Sequence, residues 1–282
     1  MRADVNTLEF TAALFGVAVA AGFLGSLTGL GGGVVITPAL TLLLGVDLRY
    51  AIGASLVSVI ATSSGAASAY VREGYSNIRI GMFLEIATTA GAICGAFFAS
   101  RIPTSTLAII FGVILLYSAW LSSRKKGDTS TSAARDPLAA RLRLDSTYPT
   151  PRGPEPYRVQ RVKTGFSLMF GAGIISGLLG IGSGALKVLA MDQAMRIPFK
   201  VSTTTSNFMI GVTAAASAGV YLNRGYIDPP LAMPVVLGVL TGSFLGARQL
   251  AGAKVRVLRV VFGVVVAVLA VEMIYSGVTG RL

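Results

Sequence analysis

The sequence predicts an all-α polytopic membrane protein built from two homologous halves in inverted orientation. Each half opens on a broken or re-entrant helix and continues through three spanning helices. Three observations lead there. The 282-residue chain is 53% hydrophobic and only 13% charged, with a mean hydropathy of +0.72, far too apolar for an ordinary soluble domain. It also repeats itself: Gly22, Gly29, Gly31 and Gly33 recur as Gly173, Gly180, Gly182 and Gly184, at a constant offset of 151. The same offset pairs Ser55 with Ser206, Tyr70 with Tyr221, Gly74 with Gly225, Gly91 with Gly242 and Gly95 with Gly246. Finally, each copy carries apolar runs close to the ~20 residues that a spanning helix needs.

The first half, residues 1–121, begins with Met1–Phe10, which lacks a basic stretch followed by a small-residue cleavage site and so reads as the start of the first span. Phe10–Gly45 is apolar for about 35 residues, too long for one span of a ~30 Å core and short for two. Gly29, Gly31, Gly32 and Gly33 stand in its middle and Pro38 shortly after. Glycines weaken a helix and proline removes a backbone donor, so two shorter helices with the bend at the glycines are expected. Three ordinary spans follow, over 52–71, 80–100 and 104–122. The second half, residues 164–282, repeats the plan: a broken segment Gly165–Met195 around Gly180–Gly184, then spans over 203–222, 230–249 and 256–275.

Between the halves, residues 122–163 form a basic linker. Arg124, Lys125, Lys126, Arg135, Arg141, Arg143, Arg152, Arg158, Arg161 and Lys163 outweigh Asp128, Asp136, Asp145 and Glu155. Much of the formal net charge of +12 sits here, which excludes nothing but makes nucleic-acid binding an unnecessary explanation. Basic excess beside spans marks the cytoplasmic face, and contact with anionic lipid headgroups stands beside a plainly solvated linker. Pro137, Pro149, Pro151, Pro154 and Pro156 make it read as largely irregular. If each opening segment crosses once, each half has four crossings and the halves are parallel. If it returns to its own side, each half crosses an odd number of times and the halves are inverted, which the lysines and arginines of the short loops favour. Arg72, Arg79, Arg196, Lys200, Arg248, Lys254, Arg256 and Arg259 then join the linker inside, leaving chiefly Arg2, Arg49, Arg101, Arg224 and Arg281 outside.

Several chemistries are excluded. The chain has one cysteine, Cys94, and no histidine, so disulfides, imidazole-based nucleophile pairs and imidazole or multi-cysteine metal sites are out, and no cofactor is expected. No G-x-x-x-x-G-K-[ST] loop supplies an ATPase, and Ser183 lacks the G-x-S-x-G frame of a nucleophile elbow. The oligomeric state is left open.

A duplicated, glycine-interrupted membrane segment points to the binding site of a secondary transporter. Non-helical backbone at membrane depth needs burial or a water-filled cavity, so the two breaks should meet near the midplane. Helix starts at Gly31, Gly32 and Gly33, and at Gly182, Ser183 and Gly184, would offer backbone N–H groups to an anion. The alternative is that these glycines merely permit close helix packing. Lys187, in a segment whose other charge is Asp192, is either an anion's counter-charge or a snorkelling lysine. Thr203, Ser206 and Asn207 share a helix face, as do Ser55, Ser58 and Thr62 in the first half. Their neutral donors suit an oxyanion, or else bond to their own helix. Glu85 is a lone carboxylate in a span and could carry a coupling proton, or sit near the surface six residues after Arg79. Arg49 and Lys200 match at the repeat offset, as mouth charges or as interfacial anchors. An anion channel without coupling is the alternative to a transporter.

GFLGSLTGLGGGVVITPAL and its relative GLLGIGSGALKVLAM, with STTTSNFMIG and GYIDP, resemble the glycine-rich signature of the TauE/SafE (sulfite exporter) membrane permeases. The likeness covers nearly the whole chain except the linker. It implies a bacterial or archaeal inner-membrane permease for small sulfur-containing or organic anions such as sulfite or sulfonates. The second copy departs from the first: Ser183 replaces a glycine, Lys187 enters where Ile36 stands, and Leu189 replaces Pro38.

Overall fold

The computed structural model describes residues 7–28, 33–72, 76–123, 136–150, 153–250 and 255–281. The first half forms α1 (Thr7–Thr28), α2 (Gly33–Leu44), α3 (Leu48–Arg72), α4 (Ile78–Ala99) and α5 (Thr104–Ser123). The second forms α7 (Val162–Leu179), α8 (Gly184–Leu189) running into a π turn over Ala190–Ala194, α9 (Phe199–Asn223), α10 (Pro229–Leu250) and α11 (Val255–Val278). Helices α3 and α9 have 25 residues each and α4 and α10 have 22, each pair beginning and ending at the repeat offset.

Four described helices are long and apolar enough to cross a membrane, within α1, α4, α7 and α10; α2, α5 and α11 hold shorter apolar stretches. Helices α3 and α9 have the length but a more polar composition, because they are packed inside the bundle, where hydroxyls and glycines meet protein and not lipid. The opening segment does not split into two short helices. Its first helix, α1, is full length at 22 residues, and the short partner is α2 at 12. The helix starts before Phe10 because Glu9 falls in its first turn, where the positive end of the helix dipole tolerates a carboxylate.

The second break is defined residue by residue. Gly180 and Gly182 both have φ of 67° and Ser183 has φ of 44°, left-handed backbone that ends α7 and prevents α8 from continuing it. The Gln160 N–H donates to the Met195 carbonyl at 3.0 Å, so the chain enters α7 and leaves the π turn side by side. Spans 52–71 and 203–222 start early for a local reason: at α3 the Asp47 carboxylate accepts the Arg49 N–H at 2.9 Å, and at α9 Pro198 precedes the first turn.

Packing pairs the halves. Helix α1 lies on α10, α7 on α4, α3 on α9 and α5 on α11. A Cβ at Gly91 would collide with the Phe170 carbonyl and one at Gly173 with the Thr88 carbonyl. The equivalents in the α1–α10 pair are Gly242 against Val19 and Gly22 against Val239. Small residues thus let backbones touch where lipid supplies no hydrophobic drive for association. The start of α3 meets the end of α9: Tyr50 and Tyr226 stack edge to face at 5.7 Å, and the Arg49 guanidinium lies 5.8 Å from the Tyr226 ring. Beyond the far end of α3, the Asn77 N–H donates to Thr205 Oγ1 near the start of α9, at 3.0 Å.

The linker is more ordered than its prolines suggest. Within 136–161 it forms α6 (Pro137–Arg141) and an antiparallel hairpin of β1 (Ser146–Thr150) and β2 (Gly153–Tyr157). Pro149 opposes Pro154 in a ribbon of only two strands, where a missing N–H is tolerated. Asp136 caps both neighbouring helices, accepting from the Leu138 N–H at 2.8 Å and the Val162 N–H at 3.0 Å. Chiefly the Val162 N–H, helped by those of Leu138 and Ala139 and by the Lys163 charge, holds its carboxyl below the usual carboxylate value. Ala139, Leu144, Tyr157 and Val159 join a core with Ile80, Leu84, Met191 and Met195.

Candidate functional site

Gly33, the first described residue after the first break, meets the second break. Ser55, on α3, donates to the Gly180 carbonyl at 3.0 Å and lies 3.3 Å from the Gly33 carbonyl, so one hydroxyl stands between the break of the second half and the first residue after that of the first. At the matching place Ser206, on α9, donates to the Gly184 carbonyl at 3.2 Å. Gly182 is enclosed by Ile210 and Val59. Ser183 is 3% exposed and its hydroxyl has no hydrogen-bond partner. The same holds for the hydroxyl oxygens of Thr203, Thr37, Thr41 and Ser176. A buried hydroxyl without a partner loses hydration and receives nothing for it, so the break is a polar region whose bonding is incomplete. Gly31 and Gly32 lie outside the described residues.

Lys187 is fully buried, at 0% exposure, which removes the snorkelling alternative. Its ammonium turns towards α9. It donates to Thr213 Oγ1 at 2.5 Å and to the Met209 carbonyl at 3.3 Å. The Thr213 hydroxyl in turn lies 2.6 Å from Glu85 Oε1 on α4, which also accepts from Thr89 at 3.1 Å. Glu85 is 8% exposed, and its second oxygen, Oε2, is buried with no partner. The fold therefore brings the two charges singled out separately in the sequence to either side of one threonine. Burying either alone would cost several kcal/mol, and opposite charge within the same buried region offsets much of that.

Other expected residues separate. Ser58 and Thr62 bond to their own helix, at the Ala54 and Ser58 carbonyls, while Asn207 is buried on α9. Arg49 donates to the Ile102 carbonyl at 3.1 Å and faces Tyr226, the contacts of an anchor at the loop after α4. Two residues stand out that the sequence reading passed over. Thr213 follows Ser206 by seven positions, which places it on the same helix face, the signal that could have found it. Tyr221 places its hydroxyl 3.2 Å from both the Gly177 and Leu178 carbonyls, groups left over at the end of α7. Its sequence signal was the pairing with Tyr70.

A bundle of apolar helices whose interrupted segments converge on buried polar and charged side chains is a multi-pass membrane protein of the transporter class. The family model described as Sulfite exporter TauE/SafE matches residues 14–273, and the chain belongs to that family. Among its relatives is "Probable membrane transporter protein YunE" of Bacillus subtilis (strain 168), 28% identical over 267 residues, covering 92% of this chain and 95% of that protein. "Probable membrane transporter protein" of Xylella fastidiosa (strain 9a5c) is 26% identical over 258 residues, covering 90% and 91%. "Probable membrane transporter protein MJ0441" of Methanocaldococcus jannaschii is 25% identical over 267 residues, covering 90% and 91%. No solved structure matches the chain.

Proposed function

We propose that this protein is a secondary permease for small anions, sulfite, organosulfonates or related organic anions, working by alternating access between inverted halves. The observation that carries the reading is that Gly33, at the start of α2, and Gly180, in the second break, share the Ser55 hydroxyl near a buried lysine. Gly31, Gly32 and Gly33 with Ser55 on one side, and Gly182, Ser183, Gly184, Thr203, Ser206 and Asn207 on the other, form the proposed site; the unpartnered hydroxyls of Ser183 and Thr203 are its side-chain donors, and Lys187 supplies charge. Neutral donors favour an oxyanion without holding it too tightly to leave. Inversion is supported by the contacts of α3 and α9, whose matched ends lie at opposite faces, and by the return of α7 and α8 to one side. The positive residues of 122–163 favour the cytoplasmic face of the inner membrane for this segment, beside anionic headgroups.

The test is anion flux in proteoliposomes with sulfite, methanesulfonate and lactate as probes. A transporter gives saturable flux that is accelerated by the same anion on the far side. Flux that neither saturates nor responds to counter-anion identifies a channel and overturns alternating access.

A further inference from the structure

Lys187 and Glu85 are buried in one region, and each is engaged by the same side chain. Two features of that arrangement bear on what couples transport. Lys187 has its contacts inside the protein, at Thr213 Oγ1 and the Met209 carbonyl, with no exposed surface. Glu85 uses only one oxygen: Oε1 meets Thr213 and Thr89, while Oε2 is buried and unpartnered. A buried carboxylate oxygen without a donor is where a proton adds at the least structural cost, because no hydrogen bond has to break.

We propose that Glu85 is a proton-binding site that trades places with the transported anion as the counter-charge of Lys187, making the protein an electroneutral proton–anion symporter. The inference rests on the permease reading above. In the anion-free protein the ammonium of Lys187 and the carboxylate of Glu85 cancel, and the pair holds no net charge. When a monoanion binds Lys187, one proton adds to Glu85 Oε2, giving a neutral carboxylic acid that keeps Oε1 on Thr213. Lysine and anion then cancel, and the core is again neutral. The two intermediate states, lysine with neither partner ionised and lysine with both, leave an uncompensated buried charge and are disfavoured. One proton and one monoanion therefore move together, because only the fully loaded and fully empty forms can rearrange.

The charged groups on the elements around Glu85 do not replace Lys187 in this role. Arg79 on α4 is exposed and lies 3.5 Å from the Arg143 carbonyl, at the linker end. Lys163 on α7 and Lys200 on α9 lie in the first turns of their helices, at the same end. Asp192 on the π turn accepts from Gln193 at 3.0 Å. Lys187 is the group that Thr213 connects to Glu85.

The experiment uses the full chain in proteoliposomes with labelled methanesulfonate, sulfite and lactate, read in two ways. Counterflow measures exchange of external label for internal unlabelled anion at equal pH. Accumulation measures uptake driven by an alkaline interior, with the membrane potential clamped at zero or set by a potassium gradient and valinomycin. The wild type is expected to show both, with accumulation that follows the pH gradient and ignores the potential. Glu85→Gln is expected to keep counterflow, since its loaded form is still neutral, and to lose accumulation, since its empty form carries lysine alone. Accumulation that follows potential and not pH in the wild type overturns the proposal without recourse to any variant, as does pH-driven accumulation retained by Glu85→Gln. Wild-type counterflow without pH-driven accumulation overturns the coupling and leaves the permease reading standing. Absence of counterflow for every probe overturns the permease reading for these anions, and the symport proposal with it.

Discussion

Thr213 Oγ1 lies 2.6 Å from Glu85 Oε1 and joins the middle of α9 to α4, two helices from different halves of the chain. That hydroxyl has one proton, given to Glu85 when it accepts from Lys187, so removing it leaves two buried charges without their shared partner. Thr213→Val is expected to lower thermal stability in detergent by about 1–3 kcal/mol, as a lost hydrogen bond to a charged group does. Thr213→Ser, which keeps the hydroxyl, is expected to retain wild-type stability in the same melt. Equal losses in both variants would mean that packing and not the bond matters.

Close helix contact makes a second prediction. Gly173→Ala would press a methyl onto the Thr88 carbonyl and part α7 from α4, while Gly171→Ala on the same helix meets nothing within 4 Å. The first is expected to destabilise by about 1–3 kcal/mol through overpacking. The second should be neutral or gain up to about 1 kcal/mol of helix propensity. Thermal unfolding of the two purified variants checks this, and a reversed order would contradict the packing described here.

Asp136 makes the joint between linker and α7 sensitive to acid. Its carboxyl is held below the ordinary value, so its contribution to folding is present above that ordinary value and is lost as pH falls through the lowered one. Amide exchange at Val162 and Leu138 is therefore expected to lose protection as the pH drops below the usual carboxylate range. Asp136→Asn should remove that acid-dependent step while leaving exchange elsewhere unchanged.

Much of this was legible beforehand, for physical reasons that differ from residue to residue. The repeat offset located the helices because a bilayer demands apolar runs of fixed length, and α3, α4, α9 and α10 keep that offset at both ends. The second break was legible because glycine alone adopts left-handed backbone cheaply, as Gly180 and Gly182 do. The linker hairpin was not, since proline reads as a breaker until Pro149 and Pro154 are seen opposite each other in a ribbon that tolerates them. Nor was the link between Glu85 and Lys187. They stand 102 residues apart in different halves, and nothing in either segment names the other. Only the packing of α9 against α4, with Thr213 turned between them, brings them into one region.

The sidedness of the chain yields a further prediction. With Cys94 replaced by serine, Thr150→Cys in the hairpin and Asn223→Cys at the end of α9 are expected to react from opposite faces of sealed vesicles. In inside-out vesicles an impermeant maleimide should label the first and spare the second. Labelling of both from one side would contradict the inverted arrangement.

In the proposed mechanism an anion binds between Gly33 and the second break, with Lys187 as its counter-charge. The most direct measurement is counterflow of labelled methanesulfonate, sulfite and lactate for wild type, Lys187→Met and Lys187→Arg, each first shown to insert normally and elute as a single species. Saturable counterflow is expected in the wild type, none in Lys187→Met, and a weakened but measurable rate with altered half-saturation in Lys187→Arg. Wild-type rates in Lys187→Met would contradict it and move the site away from the second break.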